Sequence, residues 1–161
     1  MKQKILFFDI DGTLIDEETD VVPESAKKAL AAAKEKGHLL FICSGRCLAI
    51  IPQNVVELGF DGLIGGCGTY IEMEGKEVYH HTLPMELQKE IIKDLEKYHI
   101  DGVLEGKDCS AFRRDYWMPK VVSIFTENGS FTARTQCYWD EEFSFDKMAL
   151  WFDESSDICL L

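Results

Sequence analysis

Phe8-Asp9-Ile10-Asp11-Gly12-Thr13-Leu14 is the stretch on which the reading of this chain turns. It closes an apolar run, Lys4 to Ile10, of the kind expected for a strand buried on both faces of a parallel sheet. Carboxylates at the end of such a strand are costly unless something pairs with them. Positions two apart on a strand face the same side, so Asp9 and Asp11 are expected to converge at its C-terminal end. That is the edge where open α/β sheets bind ligands. Two carboxylates there suit Mg²⁺, a hard cation that prefers oxygen. They also allow one to act as a nucleophile while the other moves a proton. Gly12 permits a sharp turn and Thr13 offers donors to an anion. The competing reading of these residues is an ordinary Asp-Gly turn.

Working outward, Pro23 to Lys36 reads as a helix with an apolar stripe at Ala26, Ala29, Leu30 and Ala33, stopped by Gly37. Leu39 to Cys43 is a second apolar strand and ends in Ser44-Gly45-Arg46. A hydroxyl, a flexible amide and a guanidinium at the start of a helix fit phosphate recognition at a helix N-terminus. Ser44 as a plain helix cap is the alternative. Leu48 to Leu58 is expected to be that helix, with Pro52 in its first turns. Gly62 to Ile64 is a third strand, followed by Gly65-Gly66-Cys67-Gly68. The sum is β-α-β-α-β with short links, the pattern of a doubly wound, Rossmann-like parallel sheet.

The texture changes after Gly68. Tyr70 to Tyr79 reads as a hairpin around Glu74-Gly75, and Pro84 to His99 as an amphipathic helix presenting Leu87, Ile91, Leu95 and Tyr98. Val103–Glu105, Val121–Thr126 and Lys147–Phe152 read as strands, with a turn at Glu127-Asn128-Gly129. This is an α+β segment, and the boundary is placed near residue 80, giving regions 1–80 and 81–161. The chain carries 29 Asp and Glu against 17 Lys and Arg, a formal charge of −12. An acidic surface repels polyanions and argues against nucleic-acid partners and polybasic membrane binding. No apolar run approaches a membrane span or a signal-peptide core, so the expected location is cytoplasmic. The six cysteines contain no CxxC pair and are read as free, buried thiols; His80-His81 is read as a surface or strand-end pair.

Asp9-x-Asp11-Gly12-Thr13-Leu14 matches the first signature of the haloacid-dehalogenase-like phosphohydrolases. Ser44-Gly45-Arg46 after an apolar strand resembles the second, in the form used by Cof-type sugar phosphatases, which insert a large α+β cap after the third core strand. The resemblance implies a Mg²⁺-dependent phosphohydrolase for small phosphorylated metabolites. In it, Asp9 attacks phosphorus to form an aspartyl-phosphate, and Asp11 protonates the leaving alcohol and later activates water. Mg²⁺ is held by the Asp9 carboxylate and the Asp11 backbone carbonyl. Ser44 holds the phosphoryl group, helped by Gly12, Thr13 and Gly45. Arg46 either supports the phosphate or pairs with a core carboxylate. The family's later motifs, a lysine and an acidic loop, are not found; Lys147 is read as part of the cap, and Glu154 onward as the start of a helix. The expectation is therefore a C-terminally truncated enzyme of impaired activity, with an exposed core edge open to self-association. A phosphomutase of the same superfamily and a non-catalytic remnant remain alternatives. So does a response-regulator-like phosphoacceptor, disfavoured by the Asp11-Gly12-Thr13-Leu14 motif. Cys67 stands where these phosphatases often have Asn, which puts that substrate or cap contact in doubt.

Overall fold

A computed structural model describes residues 2–16, 19, 21–115, 136–152, 154 and 156. The chain divides into two units: residues 1–47 with 51–80, and residues 48–50 with 81–161. The first is built on three parallel strands, β1 (Ile5–Phe8), β2 (Leu39–Cys43) and β3 (Gly62–Gly65), lying in that order. Register runs from Ile5 beside Leu39 to Phe8 beside Ile42, then from Phe41 beside Gly62 to Cys43 beside Ile64. The crossover from β1 to β2 is α1 (Glu24–Glu35). Pro23 caps α1, Glu24 sits in its first turn and Lys34 in its last, each sign matching the helix dipole. Gly37 adopts a φ of 76°, and its N–H reaches Lys34 O (2.8 Å) while His38 N–H reaches Ala33 O (3.2 Å). That is a Schellman closure, for which glycine is the usual residue.

One expectation for the stretch after β2 changes. The helix expected over Leu48–Leu58 is instead a 3₁₀ turn (Leu48–Ile50) and a four-residue helix, α2 (Gln53–Val56). Pro52 lacks a donor and disfavours helical geometry at Ile51, so the chain breaks there and restarts with Pro52 as the cap. β1, whose apolar run reads as a strand buried on both faces, lies among the described residues at the exposed core edge expected from the sequence, with β2 as its neighbour. Ile5 and Phe7 are more than half exposed.

The hairpin forms as expected, as β4 (Tyr70–Met73) and β5 (Lys76–His80), with positive φ at Glu74 and Gly75 in a two-residue turn. It joins the same sheet, with β4 antiparallel to β3, so the sheet has five strands. The change of texture at Gly68 therefore marks a switch of strand direction within one sheet. His80 ends β5, its ring edge-on to Tyr70.

Among the described residues the second unit holds α3 (Met85–Lys97) and the strands β6 (Asp101–Glu105), β7 (Ser110–Phe112), β8 (Gln136–Tyr138) and β9 (Lys147–Trp151). Their order is β8-β7-β6-β9; β6 is antiparallel to both neighbours, and β7 and β8 are parallel. Leu95, Ile100, Leu104, Ala111, Trp139 and Phe145 form the core, with Ile91 and Tyr98 against it. Leu87, expected on the buried face of α3, is exposed, and its neighbour Gln88 is buried instead. The Gln88 amide donates to Leu83 O (2.6 Å) and Ser144 Oγ (3.2 Å) and accepts from Phe145 N–H (3.3 Å), so its burial leaves no polar group stranded.

Cys109 and Cys137, expected as free thiols, form a disulfide. The parallel pairing sets Ala111 beside Cys137 and brings the two Cα atoms within 6.2 Å across 28 positions of sequence. Cys47 is buried, whereas Cys43 and Cys67 are exposed rather than buried. Lys147 opens β9 and pairs with the buried Glu105 at 3.1 Å. The strand expected at Val121–Thr126 and the turn at 127–129 lie outside the described residues. So does most of the helix expected after Asp153. Among the described residues no helix is long and apolar enough to cross a membrane.

Candidate active site

Because β1, β2 and β3 are parallel, the turns that follow them open along one sheet edge. Asp9 follows β1, Ser44 follows β2 and Gly66 follows β3. In the first turn Ile10 is fully buried and its carbonyl accepts three N–H groups, from Thr13 (3.2 Å), Leu14 (2.9 Å) and Ile15 (3.1 Å). Gly12, with φ of 66°, makes that reversal. The Thr13 N–H is thereby turned inward. Asp9 is exposed, and one of its carboxylate oxygens accepts the Ile10 N–H at 2.8 Å, which orients the group with its charge toward solvent.

Asp11 is tied to the second turn. Arg46 Nη2 donates to Asp11 Oδ1 at 2.7 Å and Nε donates to Oδ2 at 3.1 Å, a two-pronged clamp across 35 positions. Of the two roles left open for Arg46, the geometry takes the pairing with a core carboxylate. The Asp11 side chain is 45% exposed, so the pair contributes orientation more than stability.

Ser44 is buried, its N–H on Ile64 O (2.9 Å) and its Oγ accepting the Arg46 N–H (3.2 Å). The helix N-terminus expected here is absent: only the 3₁₀ turn follows, too short to build a dipole. What this turn offers an anion is the Ser44 hydroxyl and exposed backbone at Gly45.

The third turn braces the second, a role the sequence reading missed. Gly66 N–H donates to Arg46 O at 2.8 Å. Gly66 has φ of 60°, and a Cβ there would run into the Thr69 hydroxyl, which itself donates to Gly66 O at 3.0 Å. The Gly65-Gly66 pair three residues before a threonine was the available signal. Cys67, at φ 57°, turns its thiol toward Gly45 O (3.8 Å).

Arg113 and Arg114 of the second unit are engaged within that unit. Arg114 pairs with Asp140 (2.9 Å) and Glu141 (2.6 Å) and lies over the Tyr138 ring. Its hydrogen bond holds the Asp140 carboxyl below the usual carboxylate range. Arg113 pairs with Asp115 at 3.2 Å.

Among the described residues no group of three or more His, Cys, Asp or Glu side chains could hold a metal. The edge supplies oxygen donors of the kind Mg²⁺ takes, the Asp9 carboxylate and the Asp11 carbonyl. Mg²⁺ commonly keeps several waters and shares substrate phosphate, so two protein donors fit it in kind while leaving most positions to other ligands.

A family model described as haloacid dehalogenase-like hydrolase matches residues 6–154. YkrA of Bacillus subtilis (strain 168), named as a candidate phosphatase, is 33% identical over 123 residues, 76% of this chain and 44% of its own. Pyridoxal phosphate phosphatase YbhA of Escherichia coli (strain K12) is 30% identical over 115 residues, 70% of this chain and 42% of its own. Among solved structures, a sugar phosphatase of HAD subclass IIB superposes with a TM-score of 0.74 at 30% identity, covering 91% of this chain and 58% of that one. The chain thus spans under half the length of these two curated relatives.

Proposed function

The chain belongs to the haloacid dehalogenase-like hydrolases, and from that premise we propose that its first unit carries the phosphoryl-transfer edge of a phosphatase for small phosphorylated metabolites, sugar phosphates foremost. The observation that carries the proposal is the joining of Asp11 to Arg46 at the sheet edge from which Asp9 and Ser44 also emerge.

Asp9 is the nucleophile. Its exposed carboxylate attacks phosphorus, and the bond to the leaving alcohol breaks. Asp11 passes a proton to that alcohol, then takes one from the water that opens the aspartyl-phosphate and restores Asp9. Arg46 orients the Asp11 side chain, and Gly66 fixes the Arg46 backbone through its carbonyl. The Ser44 hydroxyl and the Gly45 backbone grip the phosphoryl oxygens, so positioning and charge neutralisation lower the barrier. Mg²⁺, when held by the Asp9 carboxylate and the Asp11 carbonyl, supplies the neutralisation of phosphoryl charge.

The 161 residues taken alone are proposed to turn over little substrate. Lys147 is paired with Glu105 in the second unit, and no later acidic loop was found in the sequence. The exposed β1 edge is proposed as a surface for self-association, and the cytoplasm as the site of action. The test joins this chain to the remaining C-terminal portion of one of its longer relatives. The expected result is Mg²⁺-dependent release of phosphate from sugar phosphates and p-nitrophenyl phosphate, at least about 10³-fold slower in Asp9→Asn, and little release from the 161 residues alone. Equal rates in the joined chain and its Asp9→Asn variant would exclude Asp9 as nucleophile.

A further inference from the structure

We propose that Cys109 and Cys137 form a redox-operated clamp that holds the edge strand β8 on the sheet of the second unit. The strand is short. Among the described residues it has three positions, lies outermost in its sheet and has β7, itself three residues long, as its neighbour. The pairing is parallel, slightly weaker per residue than antiparallel pairing. Parallel neighbours cannot be joined by a tight turn, and here 28 positions separate the two cysteines. A cross-link constrains such a long connection more than a short one.

The bond sits where it controls that pairing. Cys109 immediately precedes β7, and Cys137 is the middle residue of β8, beside Ala111. Both are partly buried rather than sealed in the core. Beyond β8 the chain forms Trp139 to Phe143, one wall of a cleft of about 610 Å³ whose other wall is α3, with Met85 and Ile92. The state of the clamp therefore sets the order of that wall. In thiol-rich compartments, disulfides are characteristically transient or redox-sensing.

The chemistry is exchange with a low-molecular-weight disulfide such as glutathione disulfide. The Cys109 thiolate attacks one of its sulfurs, forming a mixed disulfide and releasing one small thiolate. Cys137, having lost its proton, attacks the Cys109 sulfur and expels the second. Two protein thiols are oxidised, one small disulfide is reduced to two thiols, and excess thiol runs the exchange backward.

The test equilibrates the 161-residue chain in oxidised and reduced glutathione buffers. Alkylation and mass measurement then count thiols, and hydrogen exchange is followed on the peptide covering Gln136–Tyr138. The expected result is two fewer alkylated thiols in the oxidised chain, mapped to Cys109 and Cys137. Exchange in β8 should be about 10-fold faster on reduction, with β6 and β9 unchanged. Cys137→Ser should show the fast exchange in both buffers, and the double variant Cys43→Ser/Cys67→Ser should respond like the parent. Equal exchange of β8 in the two buffers, an oxidised pair involving another cysteine, or no oxidation at all would overturn the proposal. The parent chain alone decides these outcomes if a variant fails to fold.

Discussion

β1 and β6 invert the usual relation between sequence and burial. β1 reads Ile-Leu-Phe-Phe and leaves Ile5 and Phe7 more than half exposed. β6 reads Asp-Gly-Val-Leu-Glu and is buried at all five positions, carboxylates included. The difference is place in the sheet. Among the described residues β6 lies between β7 and β9, whereas β1 has β2 on one side and stands at the sheet edge. A central strand buries whatever it carries, and its charges survive only if satisfied. The Asp101 carboxylate accepts the Gly102 N–H at 3.0 Å, and Glu105 meets Lys147. An edge strand leaves apolar groups in water, which invites pairing.

The comparison breaks most visibly at Leu104, which is fully buried. Leu104→Ala should cost about 2–5 kcal/mol, read as a lower urea midpoint at unchanged slope. Next comes Lys147→Ala, which strips the buried Glu105 of its partner; about 1–3 kcal/mol should be lost. A neutral result there would mean that water, rather than Lys147, satisfies Glu105. The smallest expected change in stability is at the other pole. Ile5→Thr with Phe7→Thr should stay within about 0.5 kcal/mol of the parent per site. If the parent self-associates through β1 as proposed, the same double variant should remove that concentration-dependent association in sedimentation velocity. Association that persists in it would move the self-association surface away from β1.

The two regions also differ in how well the sequence foretold them. The strand–turn–strand order of the first unit was legible because each piece is local: an apolar run, then Asp-Gly, Ser-Gly or Gly-Gly. The break at Pro52 was legible too, since its cause lies within one residue; the apolar content of Leu48–Leu58 outweighed it in the reading. In the second unit α3 and two strands were visible by periodicity. The burial of Gln88 in place of Leu87 was not, because it depends on Ser144 and Phe145, more than fifty residues away.

For the candidate site, Asp9, Asp11, Ser44, Gly45 and Arg46 stood out by residue type at the ends of apolar runs, a pattern chemistry alone makes conspicuous. Their partnerships did not. By itself the sequence determined the fold class, the parallel order of the first three strands and the edge at which these residues gather. Strand periodicity, turn residues and the handedness of crossovers act over short spans of chain. Only the tertiary structure decided that Arg46 clamps Asp11, that Gly66 braces Arg46 and that Cys109 meets Cys137. Each of these depends on which distant segment packs alongside, and contacts 20 to 35 residues apart leave no period in the chain.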